Sequence, residues 1–173
     1  MESIKTIKKD GYTLSIYRDE DPQNPRTEWD VFGTLYISRP PRRCTMSDKD
    51  ANQYDAEDAP VSLPVYVIDH SGIAISELPF GCPWDSRLAG CIYVKKDVFL
   101  KEYGEINDET ISKAKDNLRG ELAEYGAFLS GNVYGFIITR DCDGEGLDSC
   151  WGFYGDDGLK RIEEDFDEFV AVI

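Results

Sequence analysis

His70 is the only histidine in the chain, so any imidazole chemistry has to pass through it. It stands in Asp69-His70-Ser71-Gly72, at the end of a β-branched and aromatic run, and Cys82 follows in a Gly- and Pro-rich stretch. A thiol beside an imidazole is the pairing that gives a nucleophile and its base. One reading is therefore a small hydrolytic or transfer enzyme working through His70 and Cys82. Against it, Asp69 and His70 are neighbours on a strand and address opposite faces, and no family-type local signature surrounds Cys82. A turn with a hydrogen-bonded histidine and a buried thiol is the plainer account, and no catalytic residue is assigned.

Asp141, Asp143, Glu145 and Asp148 surround a Gly-rich turn. Hard oxygen ligands at alternate positions suit calcium, but the segment lacks the twelve-residue loop and its closing bidentate Glu. A polar hairpin turn explains it better. The five cysteines are Cys44, Cys82, Cys91, Cys142 and Cys150. Their spacings are wider than the short two-to-four-residue gaps of structural zinc sites. They read as free thiols, with Cys142 and Cys150 facing each other across a hairpin. There is no phosphate-binding Gly loop, nucleophile elbow or metalloprotease helix. No metal and no cofactor is assigned.

The stronger signal is charge. The formal net charge is -15, and it is unevenly placed. Residues 1–96 hold 15 acidic and 12 basic side chains, whereas residues 97–173 hold 19 acidic and 7 basic. Residues 141–173 alone carry 11 acids against Lys160 and Arg161. Such crowding opposes compaction through self-repulsion, so it points to solubility or to a strongly basic partner. It also argues against direct binding of nucleic acid or anionic membranes.

The elements that hold these residues follow from pattern. Asp10-Gly11 predicts a hairpin turn between Ile4–Lys8 and Thr13–Tyr17. Residues 18–29 read as a loop, 31–38 as a strand, and about 39–60 as a long polar surface loop. Pro64–Asp69, Ile73–Ser76 and Cys91–Val94 read as short strands, with 78–90 between them as loop. Lys96–Tyr103 predicts a helix stopped by Gly104. Residues 109–130 carry a continuous stripe, Ile111, Ala114, Leu118, Leu122, Tyr125 and Leu129, at helical spacing, with Asp108 as N-cap and Gly131 as stop. Val133–Arg140 and Leu147–Tyr154 predict a second hairpin. A last helix from Asp156 or Asp157 buries Leu159, Ile162, Phe166, Phe169 and Val170. The pattern gives one α+β domain over 1–173, a mostly antiparallel sheet packed by two or three helices.

On the last helix, Glu164, Asp167 and Glu168 point away from the apolar stripe, with Glu163 and Asp165 on its flanks. Five carboxylates fall within six residues, about 9 Å of axis at ~1.5 Å per residue. That approaches the linear charge density of duplex DNA, one per ~1.7 Å. The carboxylates expected to contact a basic partner are Asp141, Asp143, Asp156, Asp157, Glu163, Glu164, Asp167 and Glu168. A solvated helix face is the competing reading of the same run.

Five segments occur together: Pro64-Val-Tyr-Val-Ile-Asp-His-Ser-Gly72, Phe80-Gly-Cys-Pro-Trp-Asp-Ser86, Gly90-Cys-Ile-Tyr-Val94, Gly131-Asn-Val-Tyr-Gly-Phe136 and Leu147-Asp-Ser-Cys-Trp-Gly-Phe-Tyr-Gly155. Across roughly residues 28–155 the chain resembles a group of small proteins carried by bacteriophages and other mobile elements. The resemblance implies context, not an activity. By analogy of class with small acidic proteins on mobile elements, that context and the acidic surface together give the expectation of an inhibitor of a host nucleic-acid-targeting defence enzyme, of anti-CRISPR or antirestriction type, acting as a DNA mimic in the cytoplasm of a bacterial host. The expected partner is a basic nucleic-acid-binding host protein such as a CRISPR effector or restriction enzyme. An accessory phage protein with an acidic solubilising face is the alternative beside the enzyme. Trp84-Asp85 and Trp151-Gly-Phe-Tyr154 read either as packing residues or as an exposed binding patch.

Overall fold

A computed structural model describes residues 2–38, 40, 46–69, 72–81 and 86–172. In chain order the elements are β1 (Lys5–Lys9), β2 (Tyr12–Arg18), α1 (Pro25–Glu28), β3 (Thr34–Ile37), α2 (Gln53–Glu57), β4 (Val61–Asp69), β5 (Ile73–Ser76), β6 (Arg87–Val94), α3 (Lys96–Tyr103), α4 (Asp108–Leu129), β7 (Val133–Arg140), β8 (Gly146–Tyr154) and α5 (Gly155–Val172). The class is α+β, with every strand pairing antiparallel. The chain was expected to read as one domain. By its contacts it forms two compact units, one from Met1–Gln23 with Gly131–Ile173, the other from Asn24–Ser130.

The first unit is a four-stranded sheet in the order β1-β2-β7-β8. Asp10 (φ 50) and Gly11 (φ 86) both take positive φ, the backbone that a two-residue type I′ hairpin requires and Asp-Gly supplies. Alternation along β2 and β7 sends Leu14, Ile16, Tyr134, Phe136 and Ile138 to one face, where they close a core with Ile162 and Phe166 of α5. Leu159, Phe169 and Val170 pack partly buried at its rim. α5 starts at Gly155, a residue or two before the expected aspartates.

The second unit is a sheet in the order β3-β6-β4-β5. α4 lays the expected stripe on it: Ala114, Leu118, Leu122 and Tyr125 are buried, with Ile111 and Leu129 packed at the edge. Its N-cap is Asn107, not Asp108; the Asn107 side chain takes the Thr110 N–H while Thr110 reaches back to the Asn107 N–H. α3 ends at Gly104 as read from the sequence. Three loop expectations need correction. Residues 18–29 contain the short helix α1, opened by an Asn24 cap and Pro25 at the first turn. Of the expected 39–60 surface loop, residues 46–60 are anchored: Met46 is buried in the core and 53–57 form α2. The stretch 78–90 likewise yields to β6 at Arg87, because β6 pairs with both β3 and β4.

Candidate functional site

The acidic residues singled out by sequence all lie in the first unit. That unit holds 16 acidic side chains against 7 basic ones, a net of -9. The β7–β8 turn sits beside the β1–β2 turn: the Asp141 N–H donates to the Gly11 carbonyl at 2.8 Å, and the Thr13 hydroxyl donates to the Asp141 carboxylate at 2.5 Å. α5 runs back toward the same end, where Tyr12 and Phe169 meet edge to face at 5.8 Å. Asp141, Asp143, Asp167 and Glu168 therefore gather at one end of the sheet. Asp156 and Asp157 lie at the other, in the first turn of α5, where negative charge complements the helix dipole. Glu163 and Glu164 fall between.

Several of these carboxylates already have cations. Lys5 Nζ lies 2.6 Å from Glu163 and Lys9 Nζ 2.7 Å from Asp167. Lys160 approaches Glu164 at 3.5 Å, and Arg140 approaches Asp143 at 2.9 Å and Glu145 at 3.0 Å. The hydrogen bond from the Glu145 N–H, more than any other influence, holds the Asp143 carboxyl below the usual range, with Arg140 adding to it. The hydrogen bond to Asp167 raises the Lys9 ammonium. Asp167, expected to point outward, is thus turned to β1, although its side chain stays 67% exposed. Among the described residues no ion pair engages Asp156, Asp157 or Glu168, and all three are exposed. With Glu163 and Asp167 fixed on the β1 flank, the 100° step of a helix puts Asp157, Glu164 and Glu168 on one outward stripe, shared with Arg161, and Asp165 on the opposite flank, toward β8, where Arg161 reaches it at 3.8 Å.

The aromatic motif of β8 divides between two faces. Phe153 packs in the core against Phe136 at 5.7 Å. The Tyr154 hydroxyl donates to the Gln23 carbonyl at 2.6 Å. A bulge at Gly152, φ 84, throws Trp151 to the sheet's other face. There its ring covers Gly135 so closely that a Cβ on Gly135 would stand 2.1 Å from Trp151 Cε3, with Tyr17 alongside at 6.2 Å.

The other sequence candidates separate. His70, Cys82, Trp84 and Asp85 lie outside the described residues, as does Cys44. Cys142 is in the turn while Cys150 stands opposite Phe136, so the two do not face each other as expected. Among the described residues no group of three or more His, Cys, Asp or Glu side chains is placed to hold a metal ion. A surface groove of about 460 Å³ in the second unit is lined by Asp55, Asp58, Lys95, Lys96, Asp97 and Leu100. Its charges have mixed sign, and Lys95 pairs with Asp55 at 3.5 Å.

One cluster escaped the sequence reading. The Arg26 side chain, 4% exposed, is clasped between Asp48 and Glu121. It donates to both Asp48 oxygens, to Glu121 at 2.8 Å and to the Gly33 carbonyl at 2.6 Å. Glu121 also accepts the Phe32 and Gly33 N–H groups, and Asp48 the Leu35 N–H at 2.8 Å. Burial alone would lower the guanidinium's pKa; Asp48 and then Glu121 outweigh it and hold it above its ordinary value. Every partner belongs to α1, α4, β3 or the segments flanking β3, so the clasp fastens the second unit and presents no free group to a substrate. Its one sequence signal is Asn24-Pro25 before Arg26, a helix start inside an apparent loop.

No helix among the described residues is long and apolar enough to cross a membrane. Comparison with protein-family models, with curated proteins and with solved structures returned no match.

Proposed function

We propose that this protein acts by binding a basic partner, as a phage or mobile-element inhibitor whose first unit occupies the nucleic-acid cleft of a host defence enzyme. The observation that carries the reading is the outward stripe of α5. Asp157, Glu164 and Glu168 are held in fixed register on a helix whose opposite side is packed into a core. A solubilising surface needs charge but not fixed register; a mimic of a phosphate backbone needs both. Opposite potentials steer such an encounter. Displacement of nucleic acid from a Lys- and Arg-lined cleft makes it salt-dependent.

The paired carboxylates narrow the contact set. Glu163 and Asp167 serve mainly to seat α5 on β1, and Asp143 to shape its turn. The contact residues are Asp157 and Glu168, with Glu164, whose exposed pairing with Lys160 at 3.5 Å a partner's cation would have to replace, between them and Asp156 and Asp141 at the margins. The test is titration of the protein into cleavage assays of restriction and CRISPR-effector enzymes. Inhibition should be one-to-one and should weaken steeply between about 50 and 200 mM salt. The triple variant Asp157→Lys, Glu164→Lys, Glu168→Lys should lose it while keeping its fold. Substoichiometric inhibition, or full inhibition by the triple variant, defeats the reading.

A further inference from the structure

Among the described residues β8 is the outer strand of the first unit's sheet, bonded to β7 on one side only. It runs for nine residues, and Gly146 and Asp148–Gly152 are all exposed. The backbone bonds at both ends of β7 show which way its neighbours face. Val133 O accepts from Asp19 and the Asp141 N–H reaches Gly11, on the β2 side; the Arg140 N–H reaches Glu145 and Asn132 O accepts from Gly155, on the β8 side. Even-numbered residues of β7 therefore bond to β8. Their register partners Asp148, Cys150 and Phe153 face inward, which leaves Ser149, between the bulges at Leu147 and Gly152, directing its backbone groups to the open edge. The Ser149 N–H is taken instead by the Asp148 carboxylate at 2.8 Å.

We propose that this edge receives an extended, basic segment of a partner protein, added as a fifth strand. The proposal rests on the acidic-surface reading above and names the form in which the partner meets it. An open edge offers a row of donors and acceptors to any extended chain; the surrounding charge selects which chain. Asp148 is the one charged residue in β8. Asp141, Asp143 and Glu145 precede it, Asp156 and Asp157 follow it, and Asp165 lies on the α5 flank nearest to it. Lys or Arg at alternate positions of the added strand would run beside Asp148, and beside Asp165 would take the place of Arg161, which reaches that carboxylate at 3.8 Å. A second copy of this chain is disfavoured by the same field, since pairing β8 with β8 would bring together two Asp148 side chains and two units of net charge -9. Asp148 acts as a placeholder, satisfying the Ser149 N–H until a strand's carbonyl replaces it.

The probe is a synthetic ten-residue peptide alternating Lys and Val, with two controls. One replaces Lys by Glu; the other keeps Lys but carries N-methyl groups on alternate amides, so it retains charge and loses main-chain donors. The lysine peptide should slow amide exchange at Ser149 by about tenfold or more. Binding should fall by a similar factor for Ser149→Pro, which removes an outward N–H that an edge strand can spare, and for the N-methylated peptide with the unaltered protein. The glutamate peptide should not bind. Equal binding of the methylated and unmethylated lysine peptides overturns strand addition while leaving the acidic-surface reading intact. No binding of any lysine peptide at low salt overturns both. Protection of β8 that grows with protein concentration and needs no peptide makes a second copy the occupant, and also overturns the proposal.

Discussion

Lys9 and Asp167, 158 positions apart in the chain, meet at 2.7 Å and pin the end of the last helix to the first strand. Lys5 and Glu163 do the same one helical turn earlier. Four residues advance a strand by ~13 Å and a helix by ~6 Å, so the two lysine stems must converge to reach carboxylates that lie closer together than they do. The acidic tail is therefore part-neutralised from the other end of the chain, and the excess charge moves to the outward stripe.

That contact predicts an alkaline signature. The Asp167 hydrogen bond raises the folded-state pKa of Lys9 above its ordinary 10.5. Its contribution is fully present below that value and is lost as pH rises through the higher folded one. Denaturation of the wild type and Lys9→Met between about pH 9 and 12 should show the two curves converging at the alkaline end. Parallel curves would mean that the pair does not couple to folding.

The Arg26 clasp should be costly to open. Arg26→Met leaves Asp48 and Glu121 facing each other without their cation, and removing one partner of a buried ion pair costs about 3–5 kcal/mol. Urea denaturation measures it. Adding Asp48→Asn and Glu121→Gln should recover part of the loss, because the stranded charge is then gone.

Gly135 and Trp151 form a second testable pair. Gly135→Ala drives a methyl into the indole ring, an overpacking cost of about 1–3 kcal/mol. In the Trp151→Ala background the same substitution should cost much less. A double-mutant cycle with no coupling would show that the ring does not rest on Gly135 in solution.

The thiols should separate by reactivity. Cys142 and Cys150 are exposed, whereas burial pushes the Cys91 thiol up, partly offset by a hydrogen bond with Ser62. Exposure favours the first two, and the raised pKa of Cys91 disfavours it. Timed alkylation with peptide mapping should label them at least about tenfold faster than Cys91.

What could be read from the residues was what local pattern controls. Asp10-Gly11 gave its hairpin, the apolar stripe from Ile111 to Leu129 gave α4, and Gly104 stopped α3. The pairing of β2 with β7 was hidden, because nothing in Thr13–Tyr17 names a partner more than a hundred residues on. The split into two cores went unseen for the same reason. Arg26, Asp48 and Glu121 each looked like a surface charge until the fold brought them together. Half of the acidic site was legible, since α5's periodicity separated buried from outward positions. Its neutralisation by Lys5 and Lys9 depended on a strand whose position only the tertiary structure supplies.

The division of the first unit between Met1–Gln23 and Gly131–Ile173 imposes an order in time. During synthesis the β1–β2 hairpin emerges early, with Lys5, Ile7 and Lys9 uncovered. It must wait while the whole of Asn24–Ser130 is made, about 5 to 20 seconds at ~5–20 residues per second. The inserted unit has its own core and needs nothing that comes later, so it can close during that wait. The first unit becomes a folding unit only when β7, β8 and finally α5 arrive. The acidic surface thus forms only after the inserted unit is complete, and a nascent chain stalled before Gly155 would display the basic strand without the carboxylates that mask it.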